Sequence, residues 1–413
     1  MNILVINSWL PYPLVSGGDQ AIYNGLAVLD EYDNVYFTYP GGSVKTAEDY
    51  ELEKRLPHIH VVPMFSAPTK HKKSGLVKKI RHATKLWMKR RFPSLLNSLV
   101  PQDDTIHMRY HVIEESFVAH VNNLIEQYKI DIVQVEMTQF ISMARHLPLH
   151  VKKIFVHHEL RWVANALTAK QKQLGWYGQE RVENLKLIEI ALLNQYDQIV
   201  TLSQTDKEKL IEAGVTTPIL ASIAVVAKPE HILENVQTRP KTLSYVGPDL
   251  HYPNYDGVIW FLENCWKKIL EQDNEYSFQI VGLWTEERKK EILSKYRNVV
   301  FTGFVDSLAD AIRGTIMIVP LKIGSGIRMK ILEAAQLEVP VVATPVGAEG
   351  LPISNETHAF IVDDADEFVK SIFKLQNIDL QNKFVGNMRE VIEQNYSLPA
   401  LKENRKSLYV VKK

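Results

Sequence analysis

Short apolar runs rich in β-branched residues recur along the whole chain, separated by longer stretches with helical spacing. In the first half they are Ile3–Ile6, Val35–Thr38, His60–Val62, Ile130–Val135, Ile154–Val156 and Gln198–Leu202. In the second half they are Leu243–Val246, Phe278–Val281, Val299–Phe301, Thr315–Pro320, Val341–Thr344 and Ala359–Val362. A sheet with one wet face would show polar and apolar residues in alternation. These runs are continuous, which suits strands covered by helices on both faces, and they predict parallel sheets in an α/β fold.

Between the two sets, residues 226–241 are polar and contain Pro229 and Pro240, as a linker should. The sequence therefore predicts a domain over 1–225 and a second over 242–390, both doubly wound and Rossmann-like. Ligands of such sheets bind beyond the carboxyl ends of the strands, so two facing domains share one interdomain cleft. A length of 413 residues agrees with two domains.

Composition excludes several classes of partner. Lys plus Arg balances Asp plus Glu at 48 each, so no global field recruits nucleic acid. The one cysteine, Cys265, allows neither a disulfide framework nor a thiolate metal cluster, which fits a cytoplasmic setting. The opening Met1–Ile6 reads as a strand without a basic leader, and no apolar stretch approaches the roughly 20 residues of a membrane span. Neither secretion nor membrane spanning is expected. One local bias stands out: residues 70–91 hold ten Lys or Arg and no acid, with apolar residues interleaved. Such a segment can lie on an anionic membrane surface, as a peripheral protein does, bind an acidic acceptor, or be a solvated helix.

The most informative stretch runs from Ile316 to Gly350. A strand feeds the turn Lys322-Ile323-Gly324-Ser325-Gly326, and a helix follows over 327–335. Glycines at a helix start let the backbone approach an anion, which meets free amides and the positive helix end. Arg328 and Lys330 place two cations where the helix dipole disfavours them, so an anion is expected beside them, a diphosphate being the natural candidate. Glu333 lies deep enough to accept from both hydroxyls of a ribose; an i,i+3 pair with Lys330 on a surface face is the plain alternative.

Other candidates sit at strand ends. Gly17-Gly18 follows the first strand and leads into a helical stretch from Ala21 to Leu29, either as an ordinary turn or as a loop approaching a phosphate. His157-His158-Glu159 closes the run at Val156, where this architecture keeps chemistry. Adjacent strand residues face opposite ways, so a one-residue slip would exchange His157 and His158. Arg161 and Trp162 follow and are candidates for the acceptor side. No His-Glu-x-x-His spacing accompanies them, so no zinc site is expected.

Gly324-Ser325-Gly326-Ile327-Arg328-Met329-Lys330-Ile331-Leu332-Glu333-Ala334, followed by Val339 to Gly350, resembles the donor-site signature of the family 4 (group 1) glycosyltransferases. Tyr245-Val246-Gly247, Phe301-Thr302-Gly303-Phe304-Val305 and the amino-terminal Asn7 to Pro13 with Ser16-Gly17-Gly18 also match. The resemblance implies the GT-B fold and the transfer of a sugar from a nucleotide-diphosphate sugar to an acceptor hydroxyl, with retention. It also implies no metal and no cofactor, a glycan or lipid-linked acceptor, and a place in polysaccharide or glycolipid synthesis.

By the same resemblance, His158, Arg328 and Lys330 are catalytic. Gly17, Gly18, Gly303, Phe304, Val305, Gly324, Ser325, Gly326 and Glu333 hold the donor, with Gly303 to Val305 beside the base. The acceptor side takes His157, Arg161 and Trp162. The family's carboxyl-terminal helix crosses back to the first domain, which residues 391–413 would do here. Ser325 replaces the first acid of the family's Glu-x7-Glu motif, and the Arg and Lys that many relatives carry after Val246-Gly247 are not evident. Two other readings are a nucleotide-sugar epimerase or hydrolase on the same architecture, and a non-catalytic scaffold docked on membranes.

Overall fold

A computed structural model describes residues 1–65, 112–226 and 238–410. The basic segment 70–91 and most of the expected linker lie outside the described residues.

Two parallel sheets carry the chain. The first contains β1 (Asn2–Ile6), β2 (Asn34–Thr38), β3 (Ile59–Val61), β4 (Ile132–Glu136), β5 (Lys152–His157), β6 (Gln198–Thr201) and β7 (Ile219–Ala221), in the order β3-β2-β1-β4-β5-β6-β7. The second contains β8 (Thr242–Val246), β9 (Ser277–Val281), β10 (Val299–Gly303), β11 (Ile316–Val319), β12 (Val341–Ala343) and β13 (Phe360–Ile361), in the order β10-β9-β8-β11-β12-β13. Each apolar run named above forms one of these strands. The short edge strand β7 was not anticipated: Ile-Leu-Ala after Thr217-Pro218 is too brief to stand out from loop.

The continuity of the runs has a direct cause in β1. Ile3 and Val5 point into the core on one face of the first sheet, Leu4 and Ile6 into the core on the other, and all four are fully buried. A period-2 strand between two helical layers needs an apolar residue at every position. Strand order reverses direction at β1/β4 in the first sheet and at β8/β11 in the second, which places a crevice at the carboxyl end of each pair.

After the helix Ile378–Asn395, which buries Phe384, Met388 and Ile392 in the second domain, the chain returns to the first. The helix Leu398–Arg405 and the turn Lys406–Tyr409 bury Leu401, Leu408 and Tyr409 in the core beneath the first sheet. Arg405 donates from Nε to Ser222 Oγ at 2.9 Å.

The helix expected from Ala21 begins earlier. It spans Gly17–Leu29, with Ser16 as its N-cap, so Gly17 and Gly18 form its first turn rather than a preceding loop. The Ser16 hydroxyl accepts from Asp19 N at 3.2 Å, and Asp19 Oδ2 accepts from Ser16 N at 2.8 Å, which is a capping box. Glycine is needed at position 17 for space: a Cβ there would lie 2.7 Å from the Met329 Cβ of the second domain.

Candidate functional site

The carboxyl ends of β5 and β11 meet across the domains. β11 leads into Gly324-Ser325-Gly326, and the following helix spans Met329–Gln336 with Arg328 at its N-cap, two residues later than the sequence suggested. Gly326, at φ +77°, packs so closely on the other domain that a Cβ would sit 2.6 Å from the carbonyl oxygen of His158. Alanine there meets both a left-handed backbone and a rigid carbonyl. Gly326→Ala is therefore expected to lower Tm and push the domains apart, with activity reduced at least about tenfold, the usual cost of a displacement near 1 Å. Calorimetry and small-angle scattering check this.

Arg328 is bent back onto the loop it follows. Its Nε donates to Val346 O at 2.9 Å, and its Nη1 donates to Ser325 O and to Gly326 O at 2.8 Å. Its Nη2 makes no hydrogen bond, with Glu349 Oε2 3.7 Å away. The guanidinium is 6% exposed, and the hydroxyl of Ser325, 8% exposed, likewise has no partner. A buried group without a hydrogen bond costs on the order of 1–3 kcal/mol, so the Ser325 hydroxyl, next to a guanidinium nitrogen held only by a 3.7 Å ion pair, is placed to meet an acceptor.

Lys330 reaches a different pair. Its Nζ donates to Tyr245 Oη and to Asn254 Oδ1, both at 2.9 Å, and its ammonium stands 4.3 Å from the Tyr245 ring centroid. Burial, reinforced by the charge of Arg328 and opposed by Glu333, pulls this lysine down to about 7. One ammonium proton remains for a third acceptor when the group is charged. Glu333 accepts from Gln20 Nε2 at 2.6 Å across the domain boundary. Burial raises its carboxyl above the ordinary glutamate value, and the Gln20 hydrogen bond and the Lys330 charge act the other way. The surface pair with Lys330 foreseen as the alternative is replaced by this cross-domain contact.

His158 Nε2 lies 2.6 Å from Glu136 Oε2, at the end of β4. His157 faces the other way, as strand alternation requires, and is held in the core by Glu189 at 2.8 Å with both side chains fully buried. Its placement on the acceptor side is thereby corrected: it has no access to an acceptor. Arg161 pairs with Glu159 at 2.9 Å near the surface. Trp162 rests partly buried against the first domain's core, its ring 5.3 Å from the Lys186 ammonium.

Gly18 lies near Met137 and Trp9, whose Nε1 donates to Asp19 at 2.7 Å. Gly303 ends β10, and Phe304 and Val305 follow it at the same end of the second sheet, but β9 and β8 separate that edge strand from β11. Phe304 is 53% exposed. Among the described residues no three His, Cys, Asp or Glu side chains gather as metal ligands.

Sequence reasoning gave no role to Glu136, Gln20 or Asn254, and quoted Tyr245 within a matched motif without assigning it one. Glu136 carried a signal, since an acid ends the Ile132–Val135 run at the switch point. Asn254 carried none, because only the fold brings it to Lys330.

Residues 240–377 match the family model described as glycosyl transferases group 1. A curated relative, the uncharacterized 44.6 kDa protein in the cps region of Klebsiella pneumoniae, is 28% identical over 152 residues, which span 35% of this chain and 39% of that one. Sucrose-phosphate synthase from Thermosynechococcus elongatus superposes with a TM-score of 0.70 at 15% identity, covering 99% of this chain and 98% of the other. HepE of Anabaena, crystallised with UDP-glucose, gives 0.64 at 13% identity over 99% of both chains. A variant of S. aureus TarM, crystallised with fondaparinux, alpha-GlcNAc-glycerol and UDP, gives 0.66 at 12% identity over 100% of both. No helix among the described residues is long and apolar enough to cross a membrane. The two parallel sheets thus share the GT-B architecture of these neighbours, and the segment over residues 240–377 is similar to the group 1 glycosyl transferases.

Proposed function

We propose that this protein transfers a sugar from a nucleotide-diphosphate sugar to a glycan or lipid-linked hydroxyl, with retention and without a metal, in polysaccharide or glycolipid synthesis. The observation that carries the reading is a buried hydroxyl without a hydrogen bond, Ser325 Oγ, beside the Arg328 guanidinium, whose Nη2 has only the Glu349 carboxylate at 3.7 Å, at a helix start where the two domains touch. The diphosphate accepts from these groups at the positive end of the helix, and Lys330 adds a charge. These cations offset the negative charge that grows on the leaving diphosphate, the role a magnesium ion fills elsewhere. HepE and TarM were each crystallised with a uridine nucleotide, which makes UDP-sugars the first donors to try.

Glu333 is assigned to the ribose of the donor, displacing or sharing Gln20. Glu333→Ala is expected to weaken nucleoside diphosphate binding about ten- to a hundredfold, the worth of hydrogen bonds to a charged group. Calorimetry that finds unchanged affinity removes the ribose role. The function itself is tested by screening nucleotide sugars with and without glycan acceptors, in the presence and absence of a chelator. Transfer that survives the chelator and keeps the donor's anomeric configuration by proton NMR supports the reading. Donor epimerised or hydrolysed alike with and without acceptor overturns it.

A further inference from the structure

A buried chain of hydrogen bonds connects the carboxyl-terminal turn Lys406–Tyr409 to His158. The Tyr409 hydroxyl donates to Gln134 Oε1 at 2.7 Å, and Gln134 Nε2 donates to Glu136 Oε1 at 2.6 Å. Glu136 Oε2 then lies 2.6 Å from His158 Nε2. Gln134, Glu136 and Tyr409 are 1%, 2% and 4% exposed, so water does not compete for these contacts.

The chemistry of the groups sets the direction of the chain. Arg405, which can only donate, hydrogen-bonds Tyr409, so the phenol oxygen accepts there and its own proton goes to Gln134. That commits the Gln134 amide: turning it over would set its oxygen against a Glu136 oxygen. The Glu136 carboxylate accepts from both sides, so His158 Nε2 must carry a proton. Among the described residues the imidazole's hydrogen bond is the one at Nε2, and none involves the other ring nitrogen, Nδ1.

We propose that Glu136, Gln134 and Tyr409 are positioning residues that hold the proton of His158 on Nε2 and leave Nδ1 as the acceptor for a hydroxyl of the donor sugar. The role of the sugar in this statement rests on the function proposed above; the tautomer does not. A turn at residues 406–409 thereby sets the state of a side chain at the interdomain cleft.

Glu136→Gln keeps the shape of the chain and reverses its last link. The new carbonyl must face the Gln134 amide, so the new NH2 faces His158 and forces its proton to Nδ1. In the ligand-free full-length protein, 15N imidazole shifts assigned by difference from His158→Asn should show Nε2–H in the wild type and Nδ1–H in Glu136→Gln. With the nucleotide sugar found by the screen, kcat of Glu136→Gln should fall about ten- to a hundredfold with KM nearly unchanged, the worth of one charged hydrogen bond. Tyr409→Phe, close in shape, should lower kcat by about three- to tenfold, the worth of a neutral one. Lys402→Ala removes an ion pair to Glu31 in the same tail and serves as the control, with kcat unchanged. An Nε2–H that persists in Glu136→Gln overturns the proposal. So does a kcat that is unaltered in Glu136→Gln, or lowered as much by Lys402→Ala as by Tyr409→Phe, in a wild type that transfers sugar. A wild type without transfer activity but with the expected tautomer change separates failure of the functional reading from failure of this one.

Discussion

Lys330→Met is expected to raise stability and abolish turnover together. The lysine is half-buried, with its ammonium desolvated, and its removal strands no partner: the Tyr245 hydroxyl still donates to Asn254 Oδ1 at 2.7 Å, and Asn254 Nδ2 still donates to Pro248 O at 2.9 Å. Replacing a buried charge by an apolar side chain of similar volume gains about 1–4 kcal/mol in comparable cases. The gain has a definite pH dependence. The folded lysine titrates at about 7 and the unfolded one near 10.5. Below pH 7 both states are charged and the desolvation penalty is present in full. Between these values the unfolded state binds more protons, so wild-type stability rises with pH and the methionine loses its advantage. Urea melts at pH 6 and pH 9 check this, with the larger difference expected at pH 6. Turnover should fall at least about a hundredfold, as for loss of one preorganised charge at a developing anion. In the wild type, a diphosphate pulls a proton onto Lys330. Calorimetry at pH 8 in buffers of different ionisation enthalpy should therefore find uptake of about one proton, which vanishes in Lys330→Met.

Arg328→Ala should fail in both respects. Three carbonyl oxygens, those of Ser325, Gly326 and Val346, lose their donor from a buried position. Each orphaned group costs on the order of 1–3 kcal/mol, so the loop and the helix start lose several kcal/mol between them. Turnover should drop by about a hundred- to a thousandfold, because Nη2, which makes no hydrogen bond within the protein, disappears as well. Thermal melting and kinetics below the lowered Tm separate the two losses. A variant that melts like the wild type would show that the guanidinium does not brace the loop.

The contrast between these two cations shows how far the sequence could be read. Both were expected beside an anion at a helix start, from Gly324, Gly326, the dipole argument and the family resemblance. Their difference was not, because it depends on partners far away in the chain: Val346 for one, Tyr245 and Asn254 for the other. The fold was largely legible because a strand covered on both faces must be apolar at every position, and Ile3–Ile6 is. The start of the first helix was misjudged because glycine reads as a breaker. Ser16 and Asp19 cap that helix, and the glycine is there to admit Met329. His157 and His158 could be told apart only by the register of β5, which sends one to Glu189 in the core and the other to Glu136.

The return of the chain to the first domain has a mechanical consequence. Only Tyr396 and Ser397 separate the helix Ile378–Asn395 of one lobe from the helix Leu398–Arg405 of the other, so this joint is a tight pivot. Everything past it, Tyr409 included, travels with the lobe that contains β4 and β5. Hinge rotation of the lobes changes the span between His158 and the Arg328 loop without touching the imidazole's proton.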